Sequence, residues 1–298
     1  MSQTAAVPVT RPLVECRGLV RIYKSADLEV VALQGLDLAV QKGETVAVVG
    51  RSGSGKTTLM NVLAAVDTPS AGSVTVDQWD LTKLSETSRA KYRRSTIGYV
   101  WQQAQVGLVP ELNAAQNVQL PMIAAQVPWS ERSSRTANLL SSLGLQGRKR
   151  HLPSQLSAGE QQRLALAVAL ANAPPVLLAD EPTSQLDGIT SQAVLSDLRS
   201  LQDEMNLTIV FVTHDPLVSR FADRTVRISD GRTSTETRWI EQGTEARSDE
   251  LVIMDRTGRL QIPRKLLEVA GLSGLVRVIR HPRGVLIVPA KDREGADD

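Results

Sequence analysis

One run of eight residues constrains this chain more than any other: Gly50-Arg51-Ser52-Gly53-Ser54-Gly55-Lys56-Thr57. It fits the pattern G-x-x-x-x-G-K-[ST]. It follows a short apolar run at Thr45 to Val49 and precedes a helical pattern from about Gly55-Lys56 through Val66. Strand, glycine-rich loop and helix in that order form a cradle for phosphate. Gly50, Gly53 and Gly55 let the backbone turn tightly and aim N–H groups at an anion. Lys56 can reach the β- and γ-phosphates of a nucleotide, and the Thr57 hydroxyl is the expected Mg²⁺ ligand. Ser52, Ser54 and Thr58 complete the expected nucleotide-binding set. A bound nucleotide with Mg²⁺ is therefore expected.

The rest of the chain permits a packed enzyme of this kind. It has 298 residues, enough for one large domain and a small one, and 42% hydrophobic residues, which speaks against global disorder. A net charge of +2 gives no whole-chain electrostatic case for nucleic acid. The single cysteine, Cys16, excludes an internal disulfide and reads as a small buried hydrophobe. No apolar run approaches the ~20 residues that cross a bilayer, and the start lacks the pattern of a secretory signal. The expectation is a soluble chain whose membrane-spanning partner, if any, is a separate polypeptide.

Periodicity organises the remainder. Residues 1–12 read as a flexible leader. Leu13 to Ile22 and Val30 to Val40 alternate as antiparallel strands. Val74, Val76 and Leu81 predict a further strand pair, followed by a basic helix ending near Arg93-Arg94. Residues 111–150 carry helical patterns broken by Pro121, Pro128 and Gly144, and predict a helical subdomain inserted in an α/β core. Val176 to Ala179 is a buried strand, Gln192 to Met205 a helix, and Thr208 to Val212 the next strand. Thr233 to Ser248 is polar and reads as a linker, spanning roughly 20–24 Å as a flexible chain.

Asp180 and Glu181 stand at the end of an apolar strand, where an open α/β sheet places functional carboxylates. Asp180 is expected to hold Mg²⁺ through water, and Glu181 to polarise the attacking water. Phosphoryl transfer needs little covalent help, so positioning and charge carry it. Ser157, Ala158 and Gly159 precede a helix running from Glu160 into Ala171, a natural anion site.

Taken together, five motifs in this order resemble the ATPase subunit of an ABC transporter over about residues 13–233. They are the glycine loop, Tyr99-Val100-Trp101-Gln102, Leu156-Ser157-Ala158-Gly159-Glu160-Gln161-Gln162-Arg163, Val176 to Thr183, and Val212-Thr213-His214-Asp215. The resemblance implies an α/β P-loop NTPase core with an antiparallel β subdomain and a helical subdomain. It implies that Gln102 contacts Mg²⁺ or the attacking water and that His214 contacts the γ-phosphate. Tyr23 would stack on adenine, and Asp187 would join two active sites. Ser157 and Gly159 would reach the γ-phosphate on a second chain in a head-to-tail dimer. Alanine replaces the usual glycine at 158. Alanine tolerates a positive φ poorly, so the expectation is an ordinary right-handed helical backbone there.

Three stretches outside the chemistry, Val30 to Leu36, Tyr92 to Gln102 and Ala115 to Met122, resemble the macrolide-exporter and lipoprotein-releasing class. That likeness implies a separate membrane permease, export or extraction of hydrophobic cargo, and a peripheral position on the cytoplasmic face of the membrane. Residues 249–290, with Leu251 to Leu266 at their start, resemble the AbrB/MazE-type swapped-hairpin domain: a strand, an Asp-x-x-Gly-Arg turn, Ile-Pro, a short helix and a second hairpin. A unit of about 40 residues can hardly bury a core alone, and that domain does so by interleaving two chains. Dimerisation of two ATPases is the favoured role. DNA binding or sensing is the alternative, since residues 249–291 hold eight Lys/Arg against four acids. Residues 291–298 read as a flexible tail.

Overall fold

The computed structural model describes residues 11–25, 28–242, 245–254, 258–282 and 284–289. The expected leader and polar tail lie almost wholly outside the described residues. In chain order, the first elements are β1 (Val14–Ser25), β2 (Leu28–Val40), β3 (Thr45–Val49) and α1 (Lys56–Leu63). Then come β4 (Ala71–Val76), β5 (Trp79–Asp80), α2 (Glu86–Ser95), β6 (Ile97–Val100), α3 (Ala114–Ala124), α4 (Trp129–Ser142) and α5 (Ala158–Leu170). They are followed by β7 (Val176–Asp180), α6 (Gly188–Met205), β8 (Thr208–Val212), α7 (Pro216–Phe221), β9 (Arg224–Ser229), β10 (Arg232–Gln242) and β11 (Glu245–Val252). The last are α8 (Arg264–Val269), β12 (Val276–His281) and β13 (Gly284–Pro289).

Two sheets carry the main body. The larger runs β11-β10-β9-β3-β8-β7-β6, with β9, β3, β8, β7 and β6 mutually parallel and β10 and β11 antiparallel at one edge. The smaller runs β2-β1-β4-β5 and is antiparallel. The inner strands are apolar on both faces, as a covered parallel sheet requires. Alternation divides them between two cores. Leu177, Ala179, Ile209 and Phe211 pack with the helical subdomain. Val176, Leu178, Val210 and Val212 pack with α1 and the antiparallel sheet.

The helices begin where short polar side chains cap them. Ser85 caps α2, Asn113 and Gln116 form a reciprocal capping box on α3, and Ser157 with Glu160 forms another on α5. Pro128 and Gly144 bound α4 as expected. Pro121 does not break its segment: it lies inside α3, which forgoes one intrahelical bond there because proline has no N–H. Cys16 is buried, and that burial pushes its thiol up to about 12, so it is an inert core side chain.

The polar segment 234–248 is not a linker. Its described residues form most of a hairpin that continues the large sheet, with Arg238 opposite Arg224 on β9 and Asp249 on β11. Pairing with β9 on one side and β11 on the other satisfies the β10 backbone, and polarity reflects a place at the border of the sheet rather than lack of structure. The Arg224 side chain reinforces the join: it donates to Glu44 at 2.5 Å, to Glu236 at 2.9 Å and to the Ala39 carbonyl. The sheet thus extends through Val252. Ile253 then donates its N–H to Ser234 O at 2.9 Å and packs against the antiparallel-sheet core. Beyond it, a bridge joins Met254 and Leu260, α8 follows, and β12 and β13 form a separate two-stranded hairpin. The expected helix and second hairpin of the C-terminal unit are present, and every residue of β12 is exposed.

Candidate functional site

The carboxyl ends of four parallel strands converge. β3 runs into the glycine loop, β6 into Gln102, β7 ends at Asp180 before Glu181, and β8 is followed by His214. Crevices at the carboxyl ends of such strands are where open α/β sheets bind ligands. Here they line one cleft of about 710 Å³, with Ser52, Gly53, Lys56, Thr57 and Thr58 as its floor and Tyr23, Val30, Val31 and Ala32 along one wall.

The loop holds its shape for reasons visible residue by residue. Gly53 and Gly55 have φ of +77° and +103°, which side chains other than glycine rarely adopt. A Cβ on Gly55 would also stand 2.5 Å from Ala32 O. The Lys56 ammonium donates to the carbonyls of Gly50 and Arg51 at 2.8 and 2.9 Å, which places it under the loop at the cleft. Ser54 does not line the cleft. Its side chain is buried behind Gly50 with Oγ unpartnered, and its carbonyl accepts from Gly231.

Opposite the loop, Asp180 is half-buried. Burial raises its carboxyl above the usual range, the adjacent Glu181 charge adds to this, and Lys56 opposes it. Glu181 sits at φ +50°, an uncommon backbone for a non-glycine residue, held by its N–H to Val212 O at 2.8 Å. Its carboxylate reaches His214 Nδ1 at 2.6 Å. Below this pair, Thr183 donates to Asp215 at 3.1 Å, tying the ends of β7 and β8 together.

Tyr23 borders the far end of the cleft. Its hydroxyl donates to Asp67 at 2.6 Å, and the Arg21 guanidinium lies over its ring at 4.6 Å from the centroid. Burial opposes ionisation of Asp67, but hydrogen bonds from Tyr23, Thr68 and Arg21 outweigh it and hold the carboxyl low. Asp67 and Arg21 are partners that sequence patterns did not reveal, because 46 residues separate them.

Ser157, Gly159 and Asp187 do not line the cleft. Ser157 caps its own helix, and Ala158 is its first residue with no positive φ, as expected. Asp187 caps α6, accepting from Ile189 and Thr190 N–H at 3.0 and 2.9 Å. The Thr190 hydrogen bonds hold its carboxyl below the usual range. The two segments touch: a Cβ on Gly159 would stand 2.6 Å from Thr190 Cγ2.

The donors fit a nucleotide and its cation. The glycine loop offers a cradle that side chains would fill. Thr57, Gln102 and Asp180 bring a hydroxyl, an amide and one carboxylate to the same cleft, the sparse oxygen set that Mg²⁺ shares with substrate phosphates. Residues 33–184 match the family model described as ABC transporter. The chain belongs to the ABC transporter family. This ABC protein is 43% identical over 224 residues to the macrolide export ATP-binding/permease protein MacB 2 of Aeromonas hydrophila, covering 75% of this chain and 34% of that protein. It is also 43% identical over 220 residues to the lipoprotein-releasing system ATP-binding protein LolD 2 of Caulobacter vibrioides, covering 74% of this chain and 96% of that one. The ABC protein thus spans about a third of the MacB-type relative and matches nearly all of the LolD-type one. Its fold matches a dimeric, post-hydrolysis structure of the ATP-binding cassette MJ0796 bound to ADP and Pi. The TM-score is 0.69 at 38% identity, covering 76% of this chain and 98% of that one. Among the described residues, no helix is long and apolar enough to cross a membrane.

Proposed function

We propose that this protein binds and hydrolyses ATP as the cassette subunit of an ABC transporter, working as a head-to-tail pair on a separate membrane permease. The observation that carries it is the convergence of Lys56, Thr57, Gln102, Asp180, Glu181 and His214 in one cleft, while Ser157, Gly159 and Asp187 face elsewhere. A second copy, turned head to tail, supplies that missing half. Lys56 and the loop N–H groups take the β- and γ-phosphates, Glu181 polarises the attacking water, and His214 holds the γ-phosphate side. Tyr23 stacks on the adenine. Thr57, Gln102 and Asp180 hold Mg²⁺, which when bound neutralises charge on the phosphates. Likeness to MacB- and LolD-type proteins supports export or extraction of hydrophobic cargo from a position on the cytoplasmic membrane face. Phosphate release from ATP by the purified protein, with Mg²⁺ and with chelator, tests the enzyme. Co-purification with a membrane protein tests the transporter. Failure to hydrolyse ATP in either setting overturns the reading.

The C-terminal unit serves, in this reading, as a second dimer contact of the AbrB/MazE type. Val276, Val278, Ile279, Val285 and Leu286 are exposed in a hairpin too small to shelter them, and an interleaved second copy covers such a surface. DNA binding remains the competing role, and salt-dependent binding of DNA by the full protein would favour it.

A further inference from the structure

Beside the nucleotide cleft lies a second one, of about 530 Å³, that the mechanism above does not use. Arg51, Arg220 and Arg227 line it, with Ser219, Thr225 and Thr237 between them. All three arginines are exposed, and among the described residues no ion pair or hydrogen bond engages their guanidinium groups. Among the described residues, no carboxylate lines the space. The acids that flank Ser219 in sequence are engaged elsewhere: Asp215 accepts from Leu217 N–H and the Thr183 hydroxyl, and Asp223 accepts from Thr45 N–H and pairs with Arg199. Elsewhere in the fold guanidiniums find acids: Arg163 has Asp197, Arg199 has Asp223, and Arg224 has Glu44 and Glu236. Three unpaired cations around one hollow repel each other, and an anion seated among them relieves that repulsion.

The position of this cleft says which anion. Gly50 and His214 line both clefts, so the arginine cleft opens from the γ-phosphate end of the nucleotide site. We propose that it is an oxyanion site that receives inorganic phosphate after hydrolysis, before release to solvent. The proposal rests on the hydrolysis reading above. A cleaved phosphate leaves a place beside Glu181 and Asp180, where two carboxylates disfavour it. The arginine cleft offers planar N–H forks, which match phosphate oxygens in pairs, while the Ser219 and Thr225 hydroxyls already donate to the Asp215 and Ser219 carbonyls. Arg51 stands on the glycine loop, Arg220 on α7 and Arg227 on β9, so the site draws on three elements that the large sheet holds together.

The test uses the full-length protein and two double variants, R220Q/R227Q and R220K/R227K; Arg51 is left in place because it belongs to the glycine loop. Inorganic phosphate is titrated into nucleotide-free protein by calorimetry, and its inhibition of steady-state hydrolysis is measured. The Gln pair should weaken phosphate binding and raise the phosphate inhibition constant at least tenfold, and the Lys pair should recover most of the loss. With a fluorescent phosphate sensor, release should lag behind ADP formation in quenched samples differently in the Gln pair than in wild type. Melting temperature and ATP affinity show that each variant is folded. Equal phosphate binding by wild type and the Gln pair overturns the proposal. So does no phosphate binding by wild type, including the case in which a poly-glutamate peptide binds instead. A wild-type protein that binds phosphate at these arginines but cannot cleave ATP would overturn the hydrolysis reading and the product role, and leave only an anion site.

Discussion

Glu181 and His214 are joined side chain to side chain, carboxylate to Nδ1, at 2.6 Å. A carboxylate only accepts, so Nδ1 carries the hydrogen of that bond. In the neutral ring Nε2 is then a lone pair, and it becomes a donor to phosphate only if the ring is charged or turns away from Glu181. The two residues therefore act as a unit across the ends of β7 and β8.

From this pairing, Glu181→Gln should slow hydrolysis by about 10²- to 10⁴-fold, the range for losing a general base. ATP binding should persist, because the glycine loop and Lys56 are untouched, and an ATP-bound dimer should accumulate. The amide can donate to Nδ1 and so leave Nε2–H free for the γ-phosphate. Single-turnover hydrolysis and gel filtration with ATP check both parts; wild-type turnover would remove Glu181 from the role. Lys56→Ala should instead weaken fluorescent-ATP binding itself.

Asp180 gives a pH signature. Burial raises its carboxyl in the folded protein, so the native state holds that proton more tightly than the unfolded chain, whose value is near 3.8. This contribution to stability is present at low pH and is lost as pH rises from 3.8 through the raised value. Asp180→Asn should remove that slope and raise the melting temperature of the nucleotide-free protein near neutral pH. It should also abolish the Mg²⁺ dependence of hydrolysis. Melting curves of both proteins across acid pH decide it; an unchanged slope would show that Asp180 is not the group.

The signature helix separates two neighbouring positions. Ala158→Gly should change turnover by less than about tenfold, or ~1.4 kcal/mol, because Ala158 already has a relaxed helical backbone. Gly159→Ala should cost more than tenfold in turnover. Its Cβ would collide with Thr190 and move the start of α5 against α6. ATP binding to the monomer should stay intact, since neither residue lines the cleft.

Arg224→Ala should destabilise the protein by about 3 kcal/mol, by leaving Glu44 and Glu236 without their cation in a largely buried setting. Urea denaturation checks it. A change below about 0.5 kcal/mol, typical of a surface substitution, would mean that the ion pairs do not hold β10 to the body.

The nucleotide-free full-length protein should be a dimer by light scattering, and a truncation after Met254 a monomer that still binds ATP. The cut falls beyond Val252, so the sheet edge remains paired. A monomeric full-length protein at micromolar concentration would sink the dimer role of the C-terminal hairpin.

Much of this cleft was legible in the chain because its chemistry is local. The glycine loop, the Asp180-Glu181 pair, Gln102 and His214 each sit at the end of a short apolar run. Apolar runs become buried parallel strands, whose carboxyl ends share one edge. The helix start after Ser157 was readable as well, whereas the helix expected from Gln192 begins earlier, at Gly188, with Asp187 as its cap. What the tertiary structure decided depends on partners far apart in sequence. Residues 234–248 looked like a linker because edge strands may be polar; only pairing to β9 and the Arg224 contacts with Glu44 and Glu236 make them sheet. Tyr23 meets Asp67, Gly159 meets Thr190, and Arg51, Arg220 and Arg227 gather around one hollow only once α7 and β9 fold beside the loop. Periodicity fixes which face of an element is buried, but it carries no record of which distant side chain waits there.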